Sequence, residues 1–228
     1  MLSDEILDYD YLQRSVWPFH KSKKQRIGLC FSGGTDSTLL FHLLCKVPNI
    51  EIFPYHGIEA WQPNGIWYAR DIYNAMVDKH PNAVIHPLHE FKVNDNSDNQ
   101  KIHRFAEEEK RLVYEERKID KVVGGLTMNP PFEVCQTFAC GLNFCEKRRF
   151  EKGWIKRGWS YKPLRNIDKK VVAVAYKREN LMDWLYPLTW SCGSRSVKAT
   201  DYWTRPCKEC YNCCEKYWAF GCYDGGVQ

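Results

Sequence analysis

Residues 26–38 read RIGLCFSGGTDST, an apolar run closed by Ser32-Gly33-Gly34 and followed by Thr35-Asp36-Ser37-Thr38. The next residues place Leu39, Leu40, Leu43 and Leu44 at helical spacing, so the pattern predicts a strand, a glycine turn and a helix. Where a strand meets a helix in this way, the first backbone amides and the helix dipole can hold an anion. Gly33 and Gly34 let the chain turn sharply and approach a phosphate, and Ser32, Ser37 and Thr38 add hydroxyl donors. Asp36 is the wrong charge to bind an anion; it suits a magnesium partner or an orienting group for a loop amide. Asp, Ser and Thr are also common helix caps, and SGG alone would read as an ordinary capped turn. The full SGGTDST after a strand favours the phosphate site. Neither a GxxxxGK[ST] loop nor a GxGxxG fingerprint is present.

Outward from this turn the alternation continues. IEIFPYHG (50–57) reads as a second strand, and GIWYARDIYNAMVDKH (65–80) as a helix with Ile66, Ala69, Ile72, Tyr73 and Met76 on one face. A third strand is predicted at 83–88, a long charged helix at 100–119, and a fourth strand in DKVVGGLT (120–127). Four alternations predict the fold class: α/β, an open, mostly parallel sheet with helices on both faces and ligands at the carboxyl ends of the strands. The expected organisation is an N-terminal arm (1–25), a nucleotide-binding α/β core (26–129) and a C-terminal region (130–228) for substrate and metal. Asp168 is placed to cap a last helix over roughly 169–185.

Lys and Arg number 33 against 28 Asp and Glu, a net charge of +5, too mild to name a polyanion partner. With 44% hydrophobic residues the chain can build a sizeable core, which excludes a disordered or fibrous protein. No apolar run is long enough to span a bilayer, and MLSDEILDYDYL has neither a basic nor an apolar signal region. The expectation is a soluble, cytoplasmic protein with no membrane partner. Its 11 cysteines then read as metal binding or thiol chemistry rather than a disulfide framework.

Cys207, Cys210 and Cys213 are spaced C-x2-C-x2-C, and Cys192 precedes them in Thr189-Trp190-Ser191-Cys192. Two residues between thiolates let sulfurs converge on one ion, and four soft ligands describe a closed structural Zn2+ site, with iron–sulfur the rival. Cys214 adjoins Cys213, so either can be the fourth ligand. Cys135, Cys140 and Cys145 are five apart, which suits neither a zinc knuckle nor one helix face; buried thiols or sulfur chemistry remain open. Lys147, Arg148, Arg149, Lys152, Lys156, Arg157, Lys162 and Arg165 interleave with Phe150, Trp154, Trp159 and Tyr161. That window reads as a solvated rim, a single-strand nucleic-acid surface, or a cationic wall for a planar acid. His86 and His89 resemble a metal pair without a third ligand.

The signature SGGxDS, matched by Ser32–Ser37 without a gap, resembles the PP-loop family of N-type ATP pyrophosphatases. The resemblance implies ATP and Mg2+ held by Ser32, Gly33, Gly34, Thr35, Asp36, Ser37 and Thr38, with attack of a substrate oxygen on the α-phosphate. Pro163-Leu164, Lys169, the TWSC element and the cysteine triplet occur in the order found in the 7-cyano-7-deazaguanine (preQ0) synthase family, QueC. Similarity to that branch, over residues 26–222, implies ATP-dependent conversion of 7-carboxy-7-deazaguanine and ammonia to the nitrile in queuosine biosynthesis. It implies catalytic roles for Asp36 and Lys169 and a zinc held by Cys192, Cys207, Cys210 and Cys213. Nucleic acid is not required, and a homodimer is compatible. Two departures stand out: 14 residues separate Cys192 from Cys207, and LTMNPPFEVC after Gly125 lacks the family's substrate pattern. They keep open adenylation of another acceptor, a tRNA base for thiolation or a protein for deazaguanine attachment. A non-catalytic zinc-bearing nucleic-acid binder is the reading from a different class.

Overall fold

The apolar run becomes β1, Gln25–Cys30, and the helix behind the glycine turn becomes α1, Thr35–Cys45. The computed structural model of the chain describes residues 12, 24–59, 65–93, 98–138, 160–193 and 206–226. Among them follow β2 (Ile50–Glu59), α2 (Gly65–Lys79), β3 (Val84–Ile85), β4 (His89–Val93), α3 (Asp98–Lys110), β5 (Lys121–Gly124), α4 (Phe132–Cys135), β6 (Ser160–Tyr161), α5 (Lys169–Arg178) and α6 (Tyr211–Phe220). The strands form one sheet in the order β3-β2-β1-β5-β6, with β4 also on β2, and every pairing is parallel. Cys30 stands opposite both Tyr55 and Gly124, so β1 and β5 end level while β2 runs on to Glu59.

Strand alternation sorts the core onto the two faces of this sheet. Ile27, Leu29, Ile52 and Val123 pack with Leu39, Leu40 and Leu44 of α1, Ala69 and Ile72 of α2, and Val172 and Tyr176 of α5. Tyr55, Phe91, Val93 and Val122 pack on the opposite side with Leu112, Ile119 and Phe105. Leu12, from the predicted N-terminal arm, is fully buried in the first cluster. Among the described residues no helix is long and apolar enough to cross a membrane.

Three sequence expectations are corrected. The third strand covers two residues rather than 83–88, and a further strand, HEFKV, lies just beyond it. Only Phe91 and Val93 of that strand are buried, the alternation of an edge strand with one wet face, which a search for apolar runs passes over. The charged helix ends at Lys110 and continues as one π turn, Arg111–Glu115, instead of reaching 119. Asp168 does cap α5, accepting from the amides of Lys170 (2.8 Å) and Val171 (3.3 Å). That helix stops at Arg178 rather than 185, followed by Asn180 in the left-handed region (φ 55°). Finally, the cysteine-rich tail contains α6, closed at its end by left-handed Gly221.

Candidate functional site

Gly33 turns the chain out of β1 with a left-handed φ of 79°, and a Cβ there would stand 3.3 Å from the Ala69 amide nitrogen. Backbone conformation and space both call for glycine. Gly34 is the N-cap of α1 and makes no side-chain cap, so the first-turn amides are open to an anion. Ser37 braces the turn from within: its hydroxyl donates to the Gly34 carbonyl and accepts from the Ser32 amide, both at 3.2 Å. From beneath, the Tyr176 hydroxyl donates to the Thr35 carbonyl at 3.0 Å. Thr35 Oγ1 is buried without a hydrogen-bond partner among the described residues. An unmet buried hydroxyl costs about 1–3 kcal/mol, and Thr35 lines the cleft, where a ligand can supply the acceptor.

The second glycine pair completes the seat. At Gly125, just after β5, a Cβ would lie 2.6 Å from the Ser37 nitrogen and 2.7 Å from the Asp36 carbonyl carbon. No side chain fits between β5 and the first turn of α1.

Asp36 and Lys169 meet directly. Lys169 Nζ donates to both Asp36 carboxylate oxygens, at 2.7 and 2.6 Å, and Thr127 Oγ1 donates to the same carboxylate at 3.4 Å. Nothing in the sequence reading pointed to the next member: Glu215 of α6 is 3% exposed and lies 3.5 Å from Lys169 Nζ. The Tyr211 hydroxyl donates to Glu215 at 3.2 Å. One ammonium thus sits between two carboxylates supplied by the first and last helices.

Cys192, Cys207, Cys210 and Cys213 bring their sulfurs within 4.8 Å of one another, close enough to hold a metal ion. Cys214 is directed elsewhere, its thiol 3.5 Å from the Glu209 carbonyl, so Cys213 is the member of the cluster. The Cys207 amide donates to Cys192 Sγ (3.4 Å) and the Cys210 amide to Cys207 Sγ (3.3 Å), which favours negative sulfur. Hydrogen bonds from the Cys192 and Cys213 thiols pull Cys210 well below the usual thiol range, and the same sharing pushes Cys213 up.

The cysteine segment is fastened to the glycine loop. Trp190 donates its amide to the Gly33 carbonyl (3.0 Å) and stacks on Tyr68 of α2, ring centroids 5.0 Å apart. Asp224 accepts from the amides of Ser191 and Cys192, each at 2.9 Å, and pairs with the Lys216 ammonium. Asp224 and Lys216 are both 1% exposed.

Between these walls lies a cleft of about 340 Å³ at the carboxyl ends of β1, β2 and β5. Ser32, Gly34, Thr35, Asp36 and Lys169 line it from one side; Trp190, Ser191, Gly193, Asn212 and Glu215 line it from the other. Gly33, Ser37 and Thr38 shape the loop without lining the cleft, and Thr38 is fully buried. Of the remaining predicted groups, Cys135 is buried with its thiol on the Pro130 carbonyl, while Cys140, Cys145 and most of the basic window fall outside the described residues. Burial pushes the Cys45 thiol up to about 12, so it is a packing residue. His86 and His89 bind Glu51 and Glu108 and do not form a metal pair.

No protein-family model matches the sequence, and no curated protein matches it either. Among solved structures the chain is similar to the U34-tRNA thiolase NcsA from Methanococcus maripaludis, solved with its [4Fe-4S] cluster. The two are 16% identical with a TM-score of 0.51, over 77% of this chain and 65% of the thiolase. This chain thus spans less than two thirds of the thiolase's length. NMN synthetase from Francisella tularensis is also similar, at 16% identity and a TM-score of 0.44, over 77% of this chain and 74% of that one. The likeness to the thiolase shows the fold: a mostly parallel α/β sheet with helices, here with a C-terminal cysteine cluster.

Proposed function

We propose that the chain is an ATP-dependent enzyme that adenylates an oxygen of its acceptor. The observation that carries this reading is the uncapped, glycine-turned start of α1, with the unpartnered Thr35 hydroxyl and the Lys169–Asp36 pair beside it in one cleft. Loop amides and Thr35 take up phosphate charge, and Lys169 offsets the charge that develops on the departing pyrophosphate. Asp36 and Thr127 are the oxygen-bearing side chains that would hold the magnesium ion accompanying ATP, which would screen the phosphate charge. The acceptor oxygen attacks the α-phosphorus, the bond to the β-phosphate oxygen breaks, and pyrophosphate leaves with the electron pair.

The acceptor we infer is the carboxylate of 7-carboxy-7-deazaguanine, on the combined pattern of the loop, Lys169, TWSC and the cysteine triplet. Ammonia displaces AMP from the acyl adenylate to give the amide. A second adenylation, on the amide oxygen, followed by loss of AMP and a proton, gives the nitrile. One observation favours a second reading, adenylation of a different acceptor such as a tRNA base: Cys135, which ends the LTMNPPFEVC stretch that lacks the family's substrate pattern, is buried and does not line the cleft.

For the metal centre we infer one zinc ion. A tetrahedron with zinc–sulfur bonds of about 2.3 Å has edges of roughly 3.8 Å, and Cys207 and Cys213 already stand 3.9 Å apart. A four-iron cluster has to hold its thiolates apart by its own width. The zinc is structural, fixing the Trp190 segment against the loop.

The test incubates purified protein with ATP, Mg2+, ammonium and 7-carboxy-7-deazaguanine and follows products by mass spectrometry. Nitrile and AMP are expected. AMP from ATP with a tRNA acceptor, and none with the deazapurine, would move the assignment to the second reading. No AMP with either, from folded and zinc-loaded protein, overturns the adenylation reading.

A further inference from the structure

His56 is a polar group in the cleft that phosphate binding does not use. It lies in β2, is 6% exposed, and lines the cleft. Its Nδ1 is 2.8 Å from the Phe31 carbonyl oxygen. A carbonyl can only accept, so Nδ1 carries the proton and the tautomer is fixed. Burial holds the imidazole below its ordinary pKa, which leaves Nε2 a bare acceptor at neutral pH. Nε2 has no hydrogen-bond partner among the described residues. It faces Gly65, the first residue of α2 and itself part of the cleft lining: a Cβ on Gly65 would stand 3.8 Å from Nε2. An acceptor locked in one tautomer at the wall of an open cleft is ready for a donor brought by a ligand.

The direction of the nucleotide follows from the two arms of the cleft. Towards β5, where Gly125, Leu126 and Thr127 line it, the arm holds the Lys169–Asp36 pair. The other arm runs over the ends of β1 and β2, past Phe31 to His56 and Glu59. A nucleotide anchored by its phosphates at α1 carries its base that way.

We propose that His56 Nε2 accepts a hydrogen bond from the exocyclic amine of adenine and so makes the cleft selective for ATP. The proposal rests on the ATP reading above and names the group that enforces it. Hypoxanthine and guanine carry a carbonyl oxygen where adenine has the amine, so either would set two acceptors face to face in a buried space.

The test compares equilibrium binding of Mg–ATP, Mg–ITP and Mg–2′-deoxy-ATP to the wild-type protein, His56→Leu and His56→Gln. Zinc content and thermal melting are measured on each. Wild type is expected to prefer ATP over ITP by roughly ten- to hundredfold and to bind 2′-deoxy-ATP like ATP. His56→Leu loses that factor for ATP and leaves ITP unchanged. In His56→Gln the amide can turn either its oxygen or its nitrogen to the base, so ATP binding is kept while ITP binding rises towards it. An ATP preference that survives in both variants overturns the proposal. So does a wild type that rejects 2′-deoxy-ATP through His56, which would place the donor on the ribose. Wild-type protein that binds neither nucleotide removes the ATP reading itself, whereas ATP binding without base preference removes only the role of His56.

Discussion

The wall of the cleft formed by Ser32–Asp36 is shaped by backbone geometry and braced by neighbouring hydroxyls, whereas the wall formed by Trp190–Gly193 is held by side chains from as far away as Asp224. In the first, consecutive residues turn through Gly33 and are clamped by the close approach of Gly125. In the second, three separate segments are tied by four sulfurs and one buried ion pair. The difference teaches where each wall is vulnerable. The loop fails through added bulk; the cysteine wall fails through loss of a single atom or charge.

The largest effect is expected from Cys207→Ser. Structural zinc contributes an apparent 10–16 kcal/mol or so to folding in small zinc domains, and the zinc proposed for the four cysteines would tie the second wall together. Metal analysis should show the zinc lost, turnover should fall at least a hundredfold, and far-UV circular dichroism should keep most of the sheet. Full turnover in the zinc-free variant would erase the distinction between the walls.

A smaller effect is expected from Lys216→Met. Both members of the Lys216–Asp224 pair are 1% exposed, so removing the ammonium leaves a buried carboxylate with only two backbone donors. Breaking such a pair costs about 3–5 kcal/mol, to be read from denaturant unfolding, while zinc is retained. A cost near zero would mean that the sulfurs alone hold this wall.

Least is expected, in stability, from Gly125→Ala. Overpacking costs about 1–3 kcal/mol, and the added methyl must push α1 away from β5. Nucleotide affinity should drop while zinc content stays unchanged, the reverse of the selectivity expected of the cysteine variant. If affinity follows the wild type, the close approach at Gly125 does not shape the loop.

The same contrast explains what the sequence made legible. The loop, α1 and the Asp168 cap are encoded in adjacent residues, so spacing alone located them. The cysteine cluster was legible because thiolates two residues apart have few other uses, yet the choice between Cys213 and Cys214 depended on how α6 starts at Cys210. Glu215 was hidden in CCEKYW, where a charged residue reads as a wet helix face; it is buried because α6 packs on α5 and brings the carboxylate to Lys169. His56 was hidden inside an apolar strand, and only the register of β1 and β2 puts its Nδ1 on the Phe31 carbonyl. Strand β4 escaped because its polar half faces water.

Asp224 follows every residue that lines the cleft in chain order, and synthesis delivers chains from the N-terminus at roughly 5–20 residues per second. The sheet and glycine loop can assemble seconds before Asp224 exists to accept the Ser191 and Cys192 amides. During that interval the loop stands without its second wall, which forms once the four cysteine sulfurs and the Lys216–Asp224 pair come together.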